Sequence, residues 1–206
     1  MAGQEISSDI KNAKAALRKS VLAARDALDP ALRAAASAAI TDALIALPAF
    51  TAARTVLAYA GFGSEINTAP FLAATLAAGK TLVLPRVDGA SRMLRLYVVR
   101  DPAADLVAGV WGIREPDPAR CPAADPAAIG FALLPCVALT PRGERLGYGG
   151  GFCDRLVASF QRRPPLVAAC FAVQLQDSVP LEPTDQRVDG VLTERAAYGI
   201  AAAQHK

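Results

Sequence analysis

The chain has 206 residues, 53% of them hydrophobic, and a formal net charge of +3, which suits a domain with a substantial core and excludes a dedicated nucleic-acid binder with a strongly basic face. Its first twenty residues alternate charge with alanine and lack the apolar core of a secretory signal. The longest uncharged run, 126–141, is short for a membrane span and is broken by prolines, so a soluble, cytoplasmic protein without a membrane or nucleic-acid partner is expected.

Residues 1–8 are expected to be disordered, and 9–200 to form a single domain. Ser8 can cap a helix over 9–28, whose apolar face is Ile10, Leu17, Val21, Ala24 and Leu28. Lys11, Lys14, Arg18 and Arg25 line another face at steps of three, four and seven. They read either as a solvated face or as a row of cations aimed at polyphosphate. Asp29-Pro30 opens a second helix to about residue 47, with Pro where its missing N–H costs nothing, and Pro48 ends it. A strand over 55–59, a loop, a helix over 68–78 closed by Gly79, and a strand over 81–84 stopped by Pro85 follow. This is the βαβ rhythm of an α/β fold with a mainly parallel sheet. Residues 94–99 suggest a half-exposed strand, and 101–126 read mostly as loop. Strands are expected at 131–134, 166–170 and 191–193, with a helix ending near 161 between the first two.

The segment 142–155 holds five of the fifteen glycines. It lies between the apolar run 131–139 and a helix, where backbone N–H groups can converge on an anion. Glycine permits positive φ and close approach of the backbone. Arg142, Arg145 and Arg155 add guanidinium groups suited to phosphate or carboxylate, and Asp154 falls in the first helical turn. The segment is neither a P-loop nor a dinucleotide fingerprint. In an open α/β sheet, ligands bind beyond the carboxyl ends of the strands. Glu65, Pro85-Arg86, the glycine segment, Asp185 and Asp189 are therefore expected to share one edge.

The cysteines, at 121, 136, 153 and 170, include no Cys-x-x-Cys pair and give neither a zinc pattern nor a disulfide framework. Cys136 and Cys170 are expected as buried thiols. The single histidine is His205, so the chemistry must rest on carboxylates, arginines, lysines, backbone and a metal ion.

The run Arg145-Leu146-Gly147-Tyr148-Gly149-Gly150-Gly151-Phe152-Cys153-Asp154 resembles the signature of the 5-formyltetrahydrofolate cyclo-ligase (methenyltetrahydrofolate synthetase) family. Further segments resemble the same family in the same order: 14–18, 64–68, 84–86, 111–116, 134–135, 179–185 and 189–194. The resemblance implies a single-domain three-layer α/β fold similar to the NagB/RpiA/CoA-transferase type. It also implies ATP- and Mg²⁺-dependent cyclisation of 5-formyltetrahydrofolate to 5,10-methenyltetrahydrofolate, with release of ADP and phosphate. By the same resemblance, Lys14, Arg18 and the whole of 145–154 are implied to hold ATP, with Arg145 and Asp154 in the catalytic step. Glu65, Trp111, Tyr148, Gly149, Gly150, Gly151 and Phe152 are implied to hold the folate. Asp154 and Asp185 resemble the metal carboxylates. A monomer acting on a small molecule is expected.

Cys153 and Thr184 stand where the family usually has Tyr and His, and Cys136 and Thr140 differ from its common Gly and Asp. These departures keep two alternatives open: a non-catalytic folate- or RNA-binding relative, and another ATP-dependent enzyme on the same scaffold.

Overall fold

The computed structural model describes residues 2–199; the side chains of residues 2–7 and of Trp111 are outside the described set, so the role expected for Trp111 falls outside it too. The chain opens with α1 (Ala2–Asp26), α2 (Pro30–Ile45) and α3 (Pro48–Ala52). Next come β1 (Thr55–Leu57), α4 (Ala69–Ala77), β2 (Thr81–Asp88), β3 (Met93–Val99), α5 (Pro102–Asp105), β4 (Leu106–Ala108) and β5 (Arg114–Pro116). The second half holds β6 (Phe131–Leu134), β7 (Ala138–Leu139), β8 (Arg145–Leu146), α6 (Phe152–Ser159), β9 (Leu166–Ala169), β10 (Gly190–Leu192) and β11 (Ala197–Tyr198).

Seven strands form one sheet in the order β11-β10-β9-β6-β1-β2-β3. The five inner strands are mutually parallel, and β3 and β11 close the edges antiparallel. Every residue of β6 and β9 is buried, as expected of parallel strands covered on both faces. Alternation along them divides two cores. Phe131, Leu133 and Val167 pack with Ile40, Leu44 and Phe71 from α2 and α4. Ala132, Leu134 and Ala168 pack with Leu156 and Val157 from α6 on the opposite face. The Phe50 ring lies 5.3 Å from that of Phe71 and 5.9 Å from that of Phe131, which adds aromatic packing to the first core. A smaller third core sets Val21 of α1 against Val137, Ala138 and Leu146 of the β7–β8 hairpin. It fastens α1 to the carboxyl edge of the sheet.

Several boundaries differ from expectation. The first helix begins at Ala2, not at Asp9, so Ser8 lies inside it and residues 2–8 are helical rather than disordered. Ala2, Gln4 and Glu5 are good helix formers and no proline precedes Ser8; Gly3, the poor former, stands one residue from the helix start. Pro48 opens a short helix as well as ending the previous one, because proline is pre-set for the first helical position. Pro85 does not stop β2. Pairing with β1 ends at Val83, while β3 continues alongside as far as Asp88, so proline's missing N–H leaves no bond to β1 unmade. Within 101–126, three-residue strands β4 and β5 pair antiparallel; strands so short carry no readable period.

Candidate functional site

Beyond the carboxyl ends of β1, β2 and β6 lies one cavity of about 1120 Å³. The residues implied to hold ATP, folate or metal whose side chains are described all line it: Lys14 and Arg18 from α1, Glu65, the whole of 145–154, and Asp185. Gly149 and Gly151 take φ of +101° and +66°, a region that side chains with a Cβ rarely adopt. A Cβ on Gly149 would also press on the Arg18 guanidinium, whose Nε donates to the Gly147 carbonyl at 2.8 Å. Asp154 sits in the first turn of α6, where the helix dipole favours negative charge.

Two cations of the cavity wall are held in ion pairs. Arg145, its side chain 1% exposed, meets Asp154 at 2.7 Å. Asp154 Oδ1 also accepts the Gln186 N–H at 3.1 Å, which ties the start of α6 to the loop carrying Asp185. The Arg145 Nε is buried and has no hydrogen-bond partner among the described residues. A buried donor left unpaired costs about 1–3 kcal/mol, so a polar atom on a bound ligand is the natural complement. Lys14 Nζ lies 2.5 Å from Asp185 and 2.8 Å from Glu182. Burial alone would lower the Lys14 pKa, but the hydrogen bonds to those two carboxylates raise it above its ordinary value.

A second cluster lies at the Glu65 end. The Tyr148 hydroxyl donates to Glu65 Oε1 at 2.5 Å and accepts from Arg25 NH1 at 3.0 Å. Glu65 Oε2 accepts the Phe62 N–H, and the Phe62 and Tyr148 rings lie 5.4 Å apart. Burial raises the Glu65 pKa, against the hydrogen bond from Tyr148. Burial also pushes the Tyr148 phenol up, with the Glu65 charge adding to it. Cys153, beside this cluster, is pushed up by desolvation and only partly lowered by Arg145. It is therefore a neutral thiol at neutral pH, not a nucleophilic thiolate.

Four expectations about placement fail. Arg142 turns away to Glu144 and the Asp177 carbonyl. Arg155 lines the cavity, but it spends its donors on the carbonyls of Arg92 and Gly150. Asp189 stands just before β10, at the opposite edge of the sheet, where it accepts the Leu166 N–H and pairs with Arg163. A residue preceding a parallel strand cannot lie at that strand's carboxyl end. Arg86 points to the Pro116 carbonyl and away from the glycine segment.

Other cavity residues were not singled out in the sequence. Glu182 and Glu115 each sat inside a recognised segment, but nothing in the spacing distinguished them. Glu115 is buried; one carboxylate oxygen accepts the Val87 N–H at 3.2 Å, and the other has no hydrogen-bond partner among the described residues but lies 4.0 Å from Arg86 NH1. Arg25, behind the cavity wall on Tyr148, was legible only as a member of the α1 cation row. Among the described residues, no group of three or more His, Cys, Asp or Glu side chains is arranged to hold a metal ion. The donor chemistry fits Mg²⁺ only in its usual form, with one or two carboxylates completed by phosphate oxygens and water.

The chain is similar to known proteins of one family. The profile described as the 5-formyltetrahydrofolate cyclo-ligase family matches residues 10–194. A 5-formyltetrahydrofolate cyclo-ligase of Mycolicibacterium smegmatis is 33% identical over 92% of this chain and 96% of its own length. A mitochondrial 5-formyltetrahydrofolate cyclo-ligase of Arabidopsis thaliana is 28% identical over 96% of this chain and 79% of its own. The solution structure of 5,10-methenyltetrahydrofolate synthetase from Aquifex aeolicus superimposes with a TM-score of 0.79 at 30% identity, covering 94% of this chain and 95% of that one.

Proposed function

The chain belongs to the 5-formyltetrahydrofolate cyclo-ligase family, and from that premise we propose that its cavity binds ATP and 5-formyltetrahydrofolate together and closes the folate to the 5,10-methenyl form. The cavity of about 1120 Å³ lies just past the upper end of the roughly 300–1,000 Å³ of ordinary ligand sites, as an extended substrate site requires. The reaction needs activation because a formamide oxygen is a poor leaving group. Transfer of the γ-phosphoryl to that oxygen releases ADP and leaves an imidate phosphate. N10 attacks the imidate carbon, the C–O bond breaks, and inorganic phosphate departs.

Such a transfer depends on positioning and charge neutralisation more than on a protein base. In this reading Lys14, Arg18 and the 147–151 amides hold the phosphates. Arg145, charged and free at Nε, neutralises the oxygens of the moving phosphoryl group. Glu65 and Tyr148 hold the folate, and Phe152 supplies an apolar wall. Asp154 and Asp185 would hold Mg²⁺, which when bound supplies charge neutralisation at the phosphate oxygens. The observation that carries the reading is the convergence of Arg145, Asp154, Lys14 and Asp185 with the glycine segment on one cavity. The working unit in this reading is a monomer. Free thiols at Cys121, Cys136, Cys153 and Cys170 suit a reducing compartment such as the cytoplasm.

The test is spectroscopic. Folded protein with MgATP and 5-formyltetrahydrofolate should build the absorbance of the methenyl product, and omission of either ATP or Mg²⁺ should stop it. No product from folded protein removes this reading and leaves a binding-only relative.

A further inference from the structure

Lys14 is not poised over an open phosphate site. Its side chain is 7% exposed, and its ammonium is held by Asp185 at 2.5 Å and Glu182 at 2.8 Å. The two carboxylates belong to one turn. The Asp185 N–H donates to the Glu182 carbonyl at 3.0 Å, and the Glu182 N–H donates to Asp185 Oδ2 at 2.7 Å. The turn therefore presents both acids to the same cation.

We propose that Asp185 and Glu182 form a cation site which Lys14 fills until nucleotide arrives, the divalent ion entering only in exchange for the ammonium. The proposal rests on the reading of the cavity as a magnesium-nucleotide site. Its first support is occupancy. Asp185 Oδ2 already accepts from Lys14 Nζ and from the Glu182 N–H, so Mg²⁺ seated about 2.0–2.1 Å from that oxygen displaces one of the two donors, and the ammonium is the one it repels. Its second support is charge. Two carboxylates with one ammonium sum to −1, and without it to −2. Burial resists uncompensated charge, so the ammonium stays until another cation takes its place. The third support concerns the destination. Arg18, one turn along α1 from Lys14 and on the same face, already reaches the Gly147 carbonyl. The buried Arg145 Nε, unpartnered in the same cavity, awaits an acceptor there. Phosphates on the glycine segment would draw Lys14 toward them and release the acids. Glu182, not among the expected metal ligands, holds the ammonium beforehand and offers its carboxylate to the divalent ion once the ammonium leaves.

Binding of Mn²⁺ alone, with no nucleotide or folate present, tests this by electron paramagnetic resonance of the free ion. Wild type should bind Mn²⁺ only when ATP is added. Lys14→Met should gain nucleotide-free binding by about tenfold or more. Lys14→Arg, which keeps the charge, should retain the block, and Lys14→Met with Glu182→Gln should lose most of the gain. If circular dichroism shows Lys14→Met misfolded, Lys14→Gln replaces it. Equal nucleotide-free binding in wild type and the uncharged variant overturns the exchange, as does a gain that Glu182→Gln leaves untouched. A wild type that forms methenyl product while Lys14→Met gains no Mn²⁺ binding keeps the proposed function and loses only the exchange.

Discussion

Replacing Asp154 has two separable consequences, because its carboxylate is both a candidate metal donor and the counter-charge of a buried guanidinium. Asp154→Ala leaves Arg145, 1% exposed, without compensation. Breaking a buried pair in this way costs about 3 kcal/mol or more. Asp154→Asn still offers an oxygen to the Gln186 N–H, so it should unfold at lower denaturant than wild type but higher than Asp154→Ala. Both variants should lack methenyl formation; full activity in Asp154→Asn would remove the carboxylate from the metal role. Glu65 gives a prediction of opposite sign. Burial raises its pKa, so the folded state holds that proton more tightly than the unfolded chain. The stabilisation is fully present below the unfolded value near 4.5 and is lost as pH rises through the folded value. Glu65→Gln should therefore gain stability relative to wild type between about pH 4 and pH 7, read by thermal melts at both pH values. The same variant should raise KM for the folate. A relative stability that does not change with pH would mean the carboxylate is not perturbed.

Between single residues and the whole chain, the β7–β8 hairpin and the loop before β10 act as a unit. Val188 N–H donates to the Gly143 carbonyl at 2.9 Å, and Arg187 pairs with Glu144 at 2.9 Å. Gly143 has φ +82°, and a Cβ there would fall 2.2 Å from the Val188 carbonyl oxygen. Gly143→Ala should cost about 1–3 kcal/mol in backbone strain alone. It should also push away the loop that carries Glu182, Asp185 and the Gln186 amide. The expected outcome is a lower Tm together with a higher KM for ATP. A lower Tm with an unchanged KM would show that the hairpin supports the fold without positioning the loop. The hairpin was not legible in the sequence. Its strands are two residues each, and glycine at 143 looked like part of a flexible connection.

At the scale of the molecule, the cavity joins segments from α1 to the loop before β10, so a ligand in it ties distant parts of the chain together. Saturating MgATP should stabilise the protein by about 2.7 kcal/mol at a hundredfold excess over Kd. For a chain of this length that is a rise of roughly 5–10 °C in Tm. ATP with a chelator should give a smaller rise, and equal rises would count against a divalent ion in the complex.

The sequence by itself determined the alternation of strand and helix, the buried strand 131–134 matched residue for residue, and the identity of the glycine segment. All three are local. Hydrophobic period, glycine spacing and proline punctuation are written in adjacent residues, and an ordered set of short motifs survives without knowledge of distance. Only the tertiary structure decided which charges meet. Arg142, Arg145 and Arg155 looked alike in sequence, yet one turns outward, one is buried against Asp154, and one bonds carbonyls. Asp185 and Asp189, four residues apart, stand at opposite edges of the sheet because a parallel strand begins directly after the second. Pairing between charges 168 and 171 residues apart, as at Lys14, depends on where α1 docks, and that is set by the packing of Val21 on the hairpin.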